Sequence, residues 1–234
     1  MRQLSILLPT FAALALPLAA QTDTAGVSGL PVIERPAALG ADSTLAVLLS
    51  GDGGWAAGDR AMAAELVQRG LAVVGLNVPS YLQPKKTPDI AGADLTRLLR
   101  HYTSKWQTRR LVLIGYSHGA DILPFMVSRL PADLRSRIDL VALLGLEPRA
   151  SFEFHVADIF TQVQRDDALP VLPELERLAG MRLLCVMGQG DRHSLCASLP
   201  PGLAQVEARP GGHRISGGEG KATADLLLSF RARR

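Results

Sequence analysis

The pentapeptide Gly115-Tyr116-Ser117-His118-Gly119 is the part of this sequence whose residue types and spacing most clearly could do chemistry. It stands between an apolar run and a helical pattern, which is the setting of a nucleophile elbow. In such a turn the serine hydroxyl is lifted above a sheet, and the flanking glycines allow close backbone approach. We therefore predict that Ser117 is a nucleophile. The alternative interpretation is a glycine-rich turn without a catalytic role.

A serine nucleophile needs a base that accepts its proton and a carboxylate that orients the base. His213 is the predicted general base, because it lies in the glycine-rich run PGGHR between a late strand and the last helix. Asp191 is the predicted acid, since it follows an apolar strand through a Gly-Gln-Gly turn and precedes the histidine in the chain. Glu147, at the end of the preceding strand, is the competing acid.

Stabilising the oxyanion requires preorganised amide donors near the serine. We predict the backbone amides of His118 and Asp52, with Gly53 as the near alternative to Asp52. The glycine-rich turn around Asp52 lacks the lysine and following Ser/Thr of a phosphate-binding loop, so it does not predict a nucleotide site. No H-x-x-x-H or H-E-x-x-H occurs and the cysteines lack zinc spacing, so we expect neither a metal nor another cofactor.

The elements that must position these residues follow an α/β pattern. Near-continuous apolar runs predict central strands of a mainly parallel sheet, at residues 44–50, 71–78, 110–116, 138–146 and 181–187. Three- and four-residue apolar spacing predicts crossover helices at 59–69, 92–106 and 118–130, then a short strand at 204–208 and a final helix at 222–233. We therefore predict an α/β-hydrolase fold with helices on both faces of the sheet.

Residues 147–180 fit this rhythm poorly and are predicted to form a small lid-like insertion. The segment contains the aromatic residues Phe152, Phe154 and Phe160. Two interpretations of these side chains stay open. They contact a membrane surface, or they pack the insertion onto the domain.

The chain has 234 residues, of which 47% are hydrophobic, and this composition predicts one globular domain at residues 44–234 rather than intrinsic disorder. Residues 1–20 begin with one cation, continue with an apolar stretch and end in small residues, as in a secretory signal peptide. The alternative, a retained membrane anchor, is disfavoured by Pro9 and Pro17. Residues 21–43 are predicted to form a leader with an edge strand.

The charge of the full chain and its two cysteines bear on its partners and its compartment. The net charge of +3 is spread without basic runs, so we expect no nucleic-acid partner. Cys185 and Cys196 would both reach an oxidising compartment. A disulfide between them and a pair of free thiols both stay open at this stage.

Five segments together carry a resemblance to a known family: LLSGDGGW, LIGYSHGADILPF, LLGLEPRASFEFHV, the run at 188–196 and PGGHR. The chain resembles the VirJ/AcvB family of bacterial virulence proteins, which are exported α/β-hydrolases. The resemblance implies a periplasmic serine esterase with Ser117, Asp191 and His213 as its triad. It also implies hydrolysis of aminoacyl-phosphatidylglycerol at the membrane surface. Secretion-system components are further candidate partners.

Such a substrate carries an ammonium and a phosphate that the site would have to recognise. For the ammonium, the candidates are the carboxylates of Glu147, Asp121 and Asp52. For the phosphate, they are Arg149, Arg192 and Arg214, and further substrate contacts are predicted for Trp55 and Tyr116. Two other functions stay open, namely a general carboxylesterase or lipase and a non-catalytic periplasmic adaptor of a secretion system.

Overall fold

The structure is a computed structural model that describes residues 25–38, 42–154, 167–213 and 220–232. The predicted signal peptide at 1–20, Phe160 and Arg214 lie outside the described residues. The strands are β1 (Val32–Arg35), β2 (Thr44–Leu49), β3 (Ala72–Leu76), β4 (Arg110–Tyr116), β5 (Ile138–Leu144), β6 (Arg149–Ala150), β7 (Leu169–Pro170), β8 (Leu183–Gly188) and β9 (Gln205–Arg209).

Seven of these strands form one sheet in the order β1-β3-β2-β4-β5-β8-β9. Strand β1 runs antiparallel to β3 at one edge, and the other neighbouring strands are parallel. The predicted mainly parallel sheet is therefore confirmed. Since parallel strands end at the same edge of the sheet, the loops after β2, β4, β5 and β8 are brought together there.

The described helices are α1 (Ala57–Gln68), α2 (Val78–Tyr81), α3 (Pro88–Lys105), α4 (His118–Ser128), α5 (Ala132–Arg135), α6 (Leu172–Glu176) and α7 (Lys221–Ala232). They cover both faces of the sheet, because successive side chains of a buried strand point to opposite sides. In β2, Leu45, Val47 and Leu49 pack in the cluster that includes α3 and α4, whereas Ala46 and Leu48 pack in the cluster that includes α1 and α7.

The predicted insertion contains the two-stranded sheet β6–β7 and the short helix α6. Phe152 is only 6% exposed, and its ring meets the ring of Phe125 in α4 edge-on at a centroid distance of 5.3 Å. Phe154 is half-buried and packs against the same apolar cluster. These two phenylalanines therefore hold the insertion on the domain. For Phe152 the interpretation as a membrane contact is wrong, because its ring is already buried.

Among the described residues, no helix combines the length and the apolar character that crossing a membrane demands.

Candidate active site

Ser117 occupies a sharp turn between β4 and α4, as the pentapeptide predicts. Its backbone has φ 52° and ψ −124°, a region that L-residues other than glycine rarely adopt. A Cβ on Gly115 would lie 2.5 Å from the carbonyl oxygen of Gly119, and one on Gly119 would lie 2.5 Å from that of Leu49. The turn consequently requires glycine at both positions, and it holds the serine at the carboxyl end of β4.

His213 meets this serine from the loop that follows β9. The distance between Ser117 Oγ and His213 Nε2 is 2.8 Å, which is the length of a hydrogen bond. The loop is fixed against the end of β8, where Gly190 N donates to Gly211 O at 2.8 Å. A Cβ on Gly188 would lie 1.9 Å from the carbonyl oxygen of Gly212, so only glycine fits at this crossing.

Both predicted acids face the other ring nitrogen of His213. Nδ1 lies 3.4 Å from Asp191 Oδ2 and 3.4 Å from Glu147 Oε1. A charge-assisted hydrogen bond is typically about 2.7–2.9 Å long. Neither carboxylate therefore forms such a hydrogen bond with His213 Nδ1 in this structure. The side chain of Asp191 is 4% exposed and that of Glu147 is 23% exposed. The backbone amide of His193 also donates to Asp191 Oδ1 at 3.2 Å, which holds this carboxylate in place.

The same three side chains are also the group that a cation could use. One ligand atom from each of Glu147, Asp191 and His213 lies within 4.8 Å of the others. Because the remaining ring nitrogen of His213 is engaged by Ser117, this arrangement equally fits a base that is oriented by a carboxylate.

The loop after β2, which carries Asp52 and Gly53, lies directly against Ser117. A Cβ on Gly51 would be 3.1 Å from Ser117 Cβ and 3.2 Å from the ring of Tyr116. The base of the loop is fixed by the hydroxyl of Ser50, which accepts a hydrogen bond from the amide of Val78 at 3.0 Å. The loop after β2 and the turn at Ser117 therefore lie next to each other.

The ring of His118 has contacts that the sequence did not reveal. Its Nδ1 lies 2.7 Å from Asp52 Oδ1, and its Nε2 lies 2.7 Å from the carbonyl oxygen of Ser151. Burial opposes the charged ring, but the hydrogen bond to Asp52, the charge of that carboxylate and the Ser151 carbonyl outweigh this effect and raise the pKa of His118 to about 9. The raised pKa favours the imidazolium form of His118 at neutral pH.

Asp121 lies one turn into α4 and is buried. Its Oδ1 accepts a hydrogen bond from the backbone amide of Glu147 at 2.8 Å, which fixes the start of the insertion relative to α4. Burial raises the pKa of this carboxyl well above its usual range. Asp121 is thus poorly suited to bind a substrate ammonium.

The remaining predicted contacts lie in several places. The ring of Trp55 packs on β3, where a Cβ on Gly75 would approach it to 2.4 Å. The guanidinium of Arg149 donates to the carbonyl of Ala168 within the insertion, whereas Arg192 is exposed beside Asp191.

Cys185 of β8 and Cys196 of the following 3-10 helix form a disulfide. The closed loop contains Asp191, so the bond joins the turn that carries Asp191 to the strand before it.

Removing this disulfide should destabilise the protein by about 2–3 kcal/mol, because a short closed loop restricts the unfolded chain. The measurement is urea unfolding of the wild type and of Cys185→Ala/Cys196→Ala, with equal m-values as the control for a two-state comparison. Two free thiols by mass in protein purified without reductant, or identical midpoints, would contradict the expectation.

Comparison with solved structures places the fold in a known class. The chain is similar to naproxen esterase (carboxylesterase NP) from Bacillus subtilis, with 12% identity, a TM-score of 0.55, and 85% of this chain and 86% of that chain covered. It is similar to TT1662 from Thermus thermophilus, with 17% identity, a TM-score of 0.57 and coverage of 89% and 97%. It is also similar to MenH from S. aureus, with 12% identity, a TM-score of 0.55 and coverage of 85% and 97%.

The sheet, its helices and the strand–Ser117–helix turn define an α/β-hydrolase fold, as predicted. Residues 43–234 match the family described as bacterial virulence protein (VirJ), and the chain belongs to this family. The predicted family is thereby confirmed. The sequence matches none of the curated proteins with which it was compared.

Proposed function

We propose that the protein is a serine hydrolase that cleaves carboxylic esters through an acyl-enzyme intermediate. The observation that carries this proposal is the 2.8 Å contact between Ser117 Oγ and His213 Nε2 in a turn of strained backbone. In the first step Ser117 Oγ attacks the ester carbonyl while its proton moves to Nε2. The oxyanion then accepts hydrogen bonds from the amides of His118 and of Asp52 or Gly53.

The imidazolium of His213 next gives its proton to the leaving alcohol, and the acyl group stays on Ser117. Water attacks the acyl-enzyme with Nε2 as the base, releasing the acid and restoring the serine. Throughout these steps a carboxylate facing Nδ1 stabilises the imidazolium. We assign this role to Asp191, because its carboxylate is the more buried of the two and is held by the His193 amide.

We further propose that the substrate is an aminoacyl ester, that of aminoacyl-phosphatidylglycerol, and that the enzyme acts in the periplasm after export by residues 1–20. Family membership and the distribution of carboxylates support this substrate. Asp52 is paired with His118, and burial raises the pKa of Asp121, so neither is suited to an ammonium. Glu147 keeps a 23% exposed side chain beside His213 and is the carboxylate that we assign to the substrate amine.

A general carboxylesterase is the second candidate, favoured by the similarity of the fold to that of naproxen esterase. The two functions differ in their response to the substrate amine. An aminoacyl ester and its N-acetyl derivative share the scissile bond, but only the first carries an ammonium that Glu147 can bind.

The test combines active-site labelling with a matched substrate pair. We expect a fluorophosphonate probe to label Ser117, and vesicles containing aminoacyl-phosphatidylglycerol to be hydrolysed at least about tenfold faster than vesicles containing the N-acetyl derivative, since a well-placed charged hydrogen bond contributes about 1.5–3 kcal/mol. Vesicles without the aminoacyl ester serve as the control for released amino acid.

Two other results would each exclude part of the proposal. Equal rates on the two vesicle preparations would favour the general carboxylesterase. Absence of labelling and of hydrolysis would reject the enzyme and leave the non-catalytic adaptor.

A further inference from the structure

The described residues contain one buried cationic ring that the proposed mechanism does not use, the imidazole of His118. It lies where three segments of the candidate site meet. Asp52 belongs to the loop after β2, His118 to the nucleophile turn, and Ser151 to the segment after β6. Both ring nitrogens have oxygen acceptors at 2.7 Å, so each must carry a proton for both hydrogen bonds to form.

We propose that His118 is a positioning residue for the oxyanion hole. The imidazole ring of His118 joins the loop after β2 and the insertion to the nucleophile turn. This inference rests on the proposed serine hydrolase function. The amide that is predicted to bind the oxyanion belongs to Asp52 itself or to Gly53, next to the carboxylate that the ring holds. A donor displaced by about 1 Å costs about 100-fold in rate, so a fixed loop has a direct catalytic consequence.

The contact also needs the ring to stay charged. The groups that face it are the carboxylates of Asp52 and Asp121 and the carbonyl of Ser151, and the charge of Glu147 acts on the same cluster through Asp121. The pKa of His118 is raised to about 9. Below this pH both hydrogen bonds exist, and as the pH rises through it the ring loses a proton and one of the two must break.

The test is the pH dependence of kcat for the wild type, His118→Gln and Asp52→Asn. In the wild type we expect kcat to fall with rising pH near pH 9. His118→Gln should lower kcat at pH 7 by about 10- to 100-fold, change KM by less than about threefold and abolish this alkaline fall. Asp52→Asn keeps an acceptor but removes the charge, so the alkaline fall should move to lower pH by about one unit or more.

The control is His101→Gln, which removes a half-buried histidine in α3 outside the site and should leave the profile unchanged. The inference is overturned if His118→Gln keeps kcat within about a factor of two of the wild type and retains the alkaline fall. Should His118→Gln not fold, the profile of Asp52→Asn decides, and an unshifted alkaline fall overturns the inference.

A separate readout keeps this result distinct from failure of the proposed function. If the wild type is neither labelled by the fluorophosphonate nor active, the proposed function is wrong, and hydrogen exchange still tests the contact. Faster exchange of the amides at 50–54 in His118→Gln, but not in His101→Gln, supports the positioning role. Unchanged exchange overturns it.

Discussion

Ser117→Ala should lower ester hydrolysis by about 10⁴- to 10⁶-fold, which is the usual cost of losing the nucleophile of a triad. The change removes one hydroxyl and leaves the backbone in place, so the thermal midpoint should stay close to that of the wild type. The main structural effect of the substitution is the loss of the 2.8 Å contact between Ser117 Oγ and His213 Nε2. The measurement is kcat/KM on the aminoacyl ester, together with fluorophosphonate labelling, which should disappear.

The matched control for this variant is Ser128→Ala, at the far end of the helix that begins directly after Ser117. Ser128 lies at the end of α4, where its hydroxyl bonds Phe125 O and Glu174 rather than a residue of the site. It should retain wild-type labelling. A Ser117→Ala protein that keeps more than about a tenth of the wild-type rate would show that the hydrolysis uses another nucleophile.

The central sheet was predictable because its strands are covered on both faces by helices, and such strands are almost continuously apolar. The predicted strand at 110–116 coincides with β4, and the predicted strand at 204–208 is shifted by one residue from β9. The run at 71–78 was predicted too long, since β3 ends at Leu76. The apolar residue Val78 belongs to the short helix α2, which is capped by the side chain of Asn77.

Short elements escaped prediction because two to five residues show no periodicity. Strands β6 and β7 have two residues each, and α6 has five, so the insertion was recognised only as a break in the pattern. The sequence did not indicate whether the aromatic side chains of this segment point to the domain or to solvent. Burial of the Phe152 ring against Phe125 depends on how the insertion folds back on α4.

The candidate site was predictable where it is local in sequence and ambiguous where it is not. The elbow around Ser117 is a continuous motif, whereas the pair formed by Asp52 and His118 joins residues 66 positions apart. The sequence favours Asp191 as the acid but keeps Glu147 as its competitor, since both follow strands that are neighbours in the sheet. The structure places both carboxylates at the same distance from His213 Nδ1. The burial of each carboxylate and the effect of substituting it must therefore decide which one orients the base.

Asp191→Asn should therefore reduce kcat far more than Glu147→Gln does, by about 100-fold or more, on every ester tested. The reason is that, in the proposed mechanism, the buried carboxylate of Asp191 orients the imidazole and stabilises its charge, whereas an amide at this position would do neither. Glu147→Gln should instead reduce hydrolysis of the aminoacyl ester and leave hydrolysis of the N-acetyl derivative nearly unchanged, because only the first substrate presents an ammonium.

The two variants are nearly isosteric with the wild type, so each serves as the control for the other. A general loss of kcat on both substrates in Glu147→Gln, with Asp191→Asn little affected, would assign the acid to Glu147 and leave the substrate amine without its proposed partner.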